Sequence, residues 1–506
     1  MDAILLSSFL SFPVIFGLIL SFILLWIFFD RQKTGKNLPP FPVPPKIIFG
    51  HLLDFSKNYR ERLREWREKT GDVYSLRMGN QLYIVVSGYQ NIKELLINNA
   101  ENIPDAPKSL INDILGETNK GIIGASGGNW KEQRAVSLSI LRSFGMGTNI
   151  LAVKIQEEVA EYLAGLAGLK GKPSDVRLMT NVSVSNIVCS IIVGKRFHHD
   201  DREFVRLIGL LGDIVKYLPQ MQLLIFMPIL RFLPGDFFNA KKMTRSVLDV
   251  NNLFCKFYIE KIEKDLSENE EPDNFIAAYL LEMKKREITQ IDTNLDRSNL
   301  ISVIRNLFIA GTETTSTTIL WFMLFMLHYP EVQDKIYEEI ESKVGNERVP
   351  GIYDRVGLVY LNAVVMETQR LANVAPSAPR KQVRVSFNLG GYAFPAGSVV
   401  VPFLDSVLHD SKIWGDADNF RPERFIDPNG QLLQPPEFIP FSMGRRACLG
   451  EAMAKMELFL FLSAVMQRFK LVPAVDGVLP PLDGECGGTY VPRPFQLRFV
   501  ERRGWK

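Results

Sequence analysis

Hydrophobic and polar positions divide the 506-residue chain into stretches of different period. Residues 3–29 carry no charge. At about 1.5 Å of rise per helical residue they are long enough to cross a bilayer core of roughly 30 Å. They lack the basic start, short apolar core and small-residue cleavage site of a removable leader, so an uncleaved transmembrane anchor is expected. A proline-rich run over 39–45 follows as a stiff spacer, because proline fixes φ. Val73–Met78 and Gln81–Val86 alternate around Gly79-Asn80, which predicts a β-hairpin. From Asn91 onward helical spacing dominates. Residues 207–238 are mostly apolar but are interrupted by Pro219, Pro228 and Pro234, too often for a second span. The longest helical pattern covers 296–327 and is closed by Tyr329-Pro330; another helix is expected over 451–469. Small β pieces are expected near 73–86, 384–402 and the C-terminus. No fixed-period repeat occurs, which argues against a solenoid. The fold class read from these patterns is mainly α with small β-sheets.

Composition changes this picture little. With 46% hydrophobic and 11% aromatic residues the chain can bury a sizeable core. A net charge of only +3 without a long Lys/Arg run argues against nucleic acid as a partner. Cys189, Cys255, Cys448 and Cys486 lie far apart without Cys-x-x-Cys pairs, so neither a disulfide framework nor a zinc module is indicated. Arg31, Lys33 and Lys36 follow the N-terminal apolar stretch while Asp2 precedes it, which places the body of the protein in the cytosol. A reducing cytosol keeps Cys448 free for a metal.

Cys448 stands at the start of the helix expected over 451–469, where unpaired amides and the helix dipole favour a thiolate. Gly444 and Gly450 allow a tight turn and close approach to a flat cofactor, and Arg446 offers a cation to its anionic edge. A lone cysteine beside a helix is by itself usually a buried apolar residue. The spacing Phe441-x-x-Gly444-x-Arg446-x-Cys448-x-Gly450 alters that, because it resembles the haem-binding loop of the cytochromes P-450. In these haem-thiolate monooxygenases the cysteine at this place is the axial iron ligand. Trp130 and Arg134, four apart on one helix face, match the family's Trp-x-x-x-Arg, whose side chains hold a haem propionate. Ala310, Gly311, Thr312, Glu313, Thr314 and Thr315 match its Ala/Gly-Gly-x-Asp/Glu-Thr-Thr/Ser. That run costs a few kcal/mol in helix propensity, and its hydroxyls can also simply bond back to carbonyls four residues earlier. Glu367 and Arg370 match Glu-x-x-Arg, with Arg424 as third member of a structural charge network. Arg380 aligns with a contact to the second propionate. Residues 142–147 and 194–197 resemble animal microsomal members of the second clan. His409 reads as a packing residue rather than an iron ligand.

The resemblance implies a cytochrome P-450 fold, a single large globular domain behind an N-terminal transmembrane helix. The divisions are 1–30, a transmembrane signal anchor; 31–50, a basic and Pro-rich linker; and 51–506, the haem-thiolate monooxygenase domain. The chain would be single-pass in the endoplasmic reticulum membrane with its catalytic domain cytosolic. Haem b would be held by Cys448 with Trp130, Arg134, Ala310, Gly311, Arg380, Phe441 and Arg446. Ala310 and Gly311 would let the helix pass close over the porphyrin, while Glu313 and Thr314 would deliver protons where dioxygen is cleaved. Electrons would come from NADPH through a flavoprotein reductase, with a cytochrome b-type donor as a second source. Lys131, Arg445 and Lys455 offer that partner basic contacts. The substrate would be lipophilic, a fatty acid, steroid or xenobiotic, in a chamber walled by residues 111–123, 207–238, 374–379 and 485–491, with 207–238 against membrane lipid. Two other readings stay open: a haem-thiolate isomerase or dehydratase of oxygenated lipids, which needs no reductase, and a non-catalytic haem sensor. The Glu313-Thr314 pair favours the monooxygenase.

Overall fold

The computed structural model describes residues 17, 21, 37–55, 58–107, 110–266 and 271–502. The predicted hairpin is present. β1 (Val73–Met78) and β2 (Gln81–Val86) pair antiparallel from Val73↔Val86 to Met78↔Gln81, and Gly79 makes the turn at φ +57°. Alternation along the strands sends side chains to opposite faces. Val73, Leu82, Ile84 and Val86 accordingly join one apolar cluster, and Tyr74, Leu76, Tyr83 and Val85 another.

Five helices position the candidate site: α1 (Gly127–Ser143), α2 (Arg177–Ile192), α3 (Arg297–His328), α4 (Val359–Ala372) and, after two short strands, α5 (Glu451–Arg468). Those strands, β3 (Lys381–Gln382) and β4 (Val399–Pro402), extend the hairpin into a sheet of order β1-β2-β4-β3. β4 runs parallel to β2 and β3 antiparallel to β4. The junction is long-range: the Gln81 amide donates to the Gly397 carbonyl, 316 residues further on. Beyond α5 a further hairpin, β5 (Gly484–Cys486) and β6 (Tyr490–Pro492), packs on α3.

α3 is the central element. Asp296 caps its start by accepting the Asn299 N–H at 2.6 Å, and the chain leaves it at Tyr329-Pro330, as its pattern predicts. Every residue from Thr315 to Leu327 is buried, as in a helix enclosed on all sides. Its unfavourable hydroxyl run is accommodated locally. Thr314, Ser316 and Thr318 donate to the carbonyls of Ala310, Thr312 and Thr314 at 2.7, 2.8 and 2.8 Å, while Thr312 and Thr315 reach Ser185 and Glu457. Residues 207–238 are broken where the prolines fall, into the end of a helix (Arg202–Tyr217) and the short turns Pro219–Met221, Gln222–Phe226 and Pro228–Phe232. The proline run packs onto the domain, with the Ser75 N–H donating to the Pro40 carbonyl at 2.8 Å.

The expected transmembrane helix requires correction, and with it the single-pass endoplasmic reticulum placement. Among the described residues no helix is long and apolar enough to cross a membrane. Residues 3–29, apart from 17 and 21, lie outside the described residues. An uncharged stretch of sufficient length permits a span without itself forming one.

Candidate active site

The loop that carries Cys448 is closed by its own backbone. The Cys448 N–H donates to the Phe441 carbonyl at 3.0 Å and the Ala447 N–H to that of Gly444 at 3.1 Å. Gly444 has φ +78°, and a Cβ there would lie 2.5 Å from the Leu96 carbonyl oxygen, so no other residue fits without moving the loop. Gly450, the N-cap of α5, has φ −93° and open space around it. Its backbone N–H, rather than its missing side chain, is what acts on the sulfur.

Cys448 opens onto a cavity of about 350 Å³ whose lining also includes Ala310, Gly311 and Thr314 of α3 and the apolar side chains of Ile122, Val188, Ile191 and Leu307. A Cβ on Gly311 would meet Val188 at 3.0 Å, so this glycine lets α2 close against α3. Of the expected chamber walls, 122–123 and part of 374–379 line the cavity, and no described residue of 207–238 or 485–491 does. The first of these is broken into short turns at Pro219 and Pro228, and the second is held by Trp321, whose indole N–H donates to the Tyr490 carbonyl at 2.9 Å and whose ring stacks on Tyr490.

One edge of the cavity is cationic. Trp130, Arg134, Lys381 and Arg446 all line it. Arg134 Nη2 donates to the Ala447 carbonyl at 2.8 Å. The Arg446 guanidinium lies 4.1 Å over the Trp130 ring and gives Nη2 to the carbonyls of Pro104 and Ala125, both at 2.8 Å, while its buried Nε has no partner. Burial, with Arg134 nearby and Asp105 opposing, brings Arg446 down to about 10. Arg380 is exposed and outside the lining; its neighbour Lys381 is buried within it. Among the described residues the lining contains a single carboxyl, Glu457, which accepts the Thr315 hydroxyl at 2.9 Å. Burial pushes Glu457 up to about 8, so it is mostly protonated at neutral pH.

These residues fit a haem: a flat group whose two carboxylates would meet the cations lining one edge, where Arg446 Nε has no partner, and whose metal would meet one sulfur. Among the described residues no group of three or more His, Cys, Asp or Glu is placed to hold a metal ion, and Cys448 is the one Cys or His in this lining. Cys448 is exposed where it borders the cavity, and the surrounding protein desolvates its sulfur. Burial pushes the Cys448 thiol up, against the Gly450 N–H and Arg134, which pull it down. The Gly450 N–H at this helix start favours the anion as expected, desolvation opposes it, and a bound cation would fix the thiolate.

The paired Glu313 and Thr314 diverge. Thr314 lines the cavity with its hydroxyl donating to Ala310. The Glu313 carboxylate accepts the Thr489 hydroxyl at 3.1 Å, away from the lining, and burial raises its pKa. Phe441 lines the cavity and lies 5.5 Å below the Lys455 ammonium. Lys131 is exposed, whereas Arg445 and Lys455 pair with Glu101 and Glu451 at 3.0 and 2.6 Å.

The structure brings Glu367, Arg370 and Arg424 together. Glu367, fully buried, receives Arg370 Nε and Nη2 at 2.7 and 2.8 Å, Arg424 Nε at 3.2 Å and the Arg421 backbone N–H at 2.9 Å. The remaining hydrogens of Arg370 reach the Leu408 and Asn419 carbonyls, so the network ties α4 to the segment before the cysteine loop. His409 pairs with Asp405 at 3.2 Å, and burial lowers it to about 4. Two residues escaped sequence reasoning. Glu457 had a signal, a lone acid inside the apolar run of α5. Lys381 had none, since choosing between adjacent cations requires the strand's register.

Comparison with known proteins agrees with this geometry. The profile of the family described as Cytochrome P450 matches residues 39–499. Cytochrome P450 2J1 of Oryctolagus cuniculus is 38% identical over 489 residues, covering 95% of this chain and 94% of the relative. Cytochrome P450 2U1 of Rattus norvegicus is 34% identical, covering 96% and 94%, and Cytochrome P450 2J2 of Homo sapiens is 37% identical, covering 88% of each. With its cysteine loop, small-residue helix and cationic edge set around one cavity, the chain belongs to the cytochrome P450 family, of the microsomal clan, and is a haem-thiolate monooxygenase.

Proposed function

We propose that Cys448 Sγ is the one protein ligand of a haem b iron in this cavity, and that the enzyme oxidises lipophilic substrates with electrons from NADPH passed on by a flavoprotein reductase. The observation that carries this is the Cys448 sulfur and the cations Arg134 and Arg446 lining one mostly apolar cavity. Bound there, haem supplies the activation of dioxygen by two electrons and the insertion of one oxygen atom, the other leaving as water.

The chain's own residues bind, exclude water and manage protons. Arg134 and Arg446 hold carboxylates beside Trp130. Ala310 leaves room for a flat group, and Ile122, Ile123 and Leu307 favour an apolar substrate over water. The Thr314 hydroxyl has its hydrogen on Ala310, so it accepts from a cavity group as it stands and donates only after releasing that carbonyl. Glu313, whose pKa burial raises, would relay protons toward the cavity once Thr489 lets go.

A carbon monoxide difference spectrum tests the ligand. The purified protein should show the thiolate band and Cys448→Ser should lack it; a band surviving in the variant refutes the assignment. With reductase and NADPH, Thr314→Ala should lose a larger share of reductant to peroxide or water. An unchanged ratio of product to NADPH removes Thr314 from proton delivery. Turnover that needs no reductase would replace the monooxygenase by an isomerase or dehydratase. Spin-state shifts of the ferric protein on adding fatty acids, steroids or drug-like compounds identify the substrate class.

A further inference from the structure

Residues 117–123 run as a strap along one side of α3, held by polar side chains of that helix. Asn299, Ser302, Arg305 and Asn306, three and four residues apart, share this side. Asn299 Oδ1 accepts the Gly121 N–H at 3.1 Å, and Asn306 Oδ1 accepts those of Ile122 and Ile123, both at 3.0 Å. Gly121, at φ +76°, lies so near the helix that a Cβ would stand 2.7 Å from Asn306 Oδ1. Glu117 is buried at the start of the strap. Its carboxylate receives both Nη groups of Arg305, Nη1 at 3.1 Å, together with Asn251 Nδ2 at 2.8 Å and the Ser302 hydroxyl at 3.1 Å. Arg305 Nη1 also donates to Asn251 Oδ1, so the pair joins the strap, α3 and the helix Ala240–Leu253. Glu117 and Arg305 are 9% and 8% exposed and do not border the cavity, whereas Ile122 and Ile123, at the far end of the strap, line it.

A buried ion pair adds little net stability, because desolvating both charges consumes most of their attraction; its use is to fix one arrangement over others. Here the arrangement is the placing of Ile122 and Ile123 against α3. We propose that Arg305 and Glu117, with Asn251, are positioning residues that latch this wall shut and so set the size of molecule the cavity admits, although none of the three borders the cavity. This rests on the haem-thiolate reading above. The other ties of the strap to α3 are weaker: three amide bonds to neutral side chains, and a pair of Lys120 with Asp296 that solvent screens. With the latch removed, the strap lifts readily and lets in bulky molecules that the closed wall holds back. A small molecule passes in either case.

The test uses the full-length, haem-loaded protein and two ligands that bind haem iron through the same kind of nitrogen, imidazole and biphenylimidazole, followed by the Soret shift after rapid mixing. Removing one charge strands the other, so both are changed together, as Glu117→Gln with Arg305→Met. This double variant should take up the bulky ligand, relative to imidazole, about tenfold faster than the wild type does. Gly121→Ala pushes the strap off Asn306 with the ion pair intact and should raise the same ratio. A ratio raised by Gly121→Ala but not by the double variant shows a wall that the pair does not latch, and a ratio moved by neither shows no wall; each result overturns the proposal. Hydrogen exchange of the ligand-free wild type needs no variant. The amides of Gly121, Ile122 and Ile123 should be protected, and exchange as fast as in an open loop overturns the proposal as well. A wild-type spectrum that imidazole leaves unchanged sinks the haem reading, and this inference with it.

Discussion

Glu457→Gln should make the protein more stable, and the gain should grow with pH. In the folded protein this carboxyl is raised from 4.5 to about 8 by burial, opposed only by the Thr315 hydroxyl. An elevated acid weakens the fold as pH climbs. Below about 4.5 both states are protonated and nothing is lost; between 4.5 and 8 the unfolded chain ionises and the native one does not. At about 1.36 kcal/mol per unit the penalty is under about 1 kcal/mol at pH 5 and about 3 kcal/mol at pH 7. Glutamine keeps an acceptor for Thr315 and never ionises. Its amide hydrogens meet the same environment in which Glu457 Oε1 has no partner, at a cost that is the same at both pH values. Urea unfolding of wild type and variant at pH 5 and pH 7 isolates the difference. The variant's advantage should increase by about 2–3 kcal/mol between them. Equal advantages, or one that shrinks with pH, would show that the carboxyl is ionised in the fold.

Glu367→Gln leaves Arg370 and Arg424 buried without their shared anion and should cost about 3–5 kcal/mol in urea unfolding, with haem content falling in parallel. Gly444→Ala places a Cβ against the Leu96 carbonyl at a positive φ; a cost of about 1–3 kcal/mol should be read as reduced haem occupancy of the purified protein. Trp321→Phe keeps the stack on Tyr490 but removes the donor to its buried carbonyl, for a loss of about 1–3 kcal/mol in thermal or chemical unfolding.

What the sequence revealed depended on whether a feature is local. The β1–β2 hairpin follows from alternation around Gly79-Asn80, and the ends of α3 follow from Asp296 and Pro330, because each is decided within a few residues. The Glu367–Arg370 pair was legible through spacing and an apolar setting, and Arg424 through the family resemblance alone. The cationic edge was legible only in part: Arg380 and Lys381 are equally basic, and extended backbone turns adjacent side chains to opposite faces, so strand register decides between them. The desolvation of Cys448 was not legible, because a helix terminus is visible in sequence and the depth of the surrounding protein is not. Among the described residues 207–238 and 485–491 do not border this cavity; apolar composition does not say which space a segment faces.

The parallel pairing of β2 with β4 bears on biosynthesis. The first hairpin leaves the ribosome early, but the neighbour that covers its edge is translated only after Gly397. Through most of synthesis β2 therefore presents unsatisfied amides and apolar side chains to the surroundings, a template for wrong partners. A chaperone that shields this strand until the C-terminal third arrives should raise the yield of soluble protein more than slower translation of the helices in between.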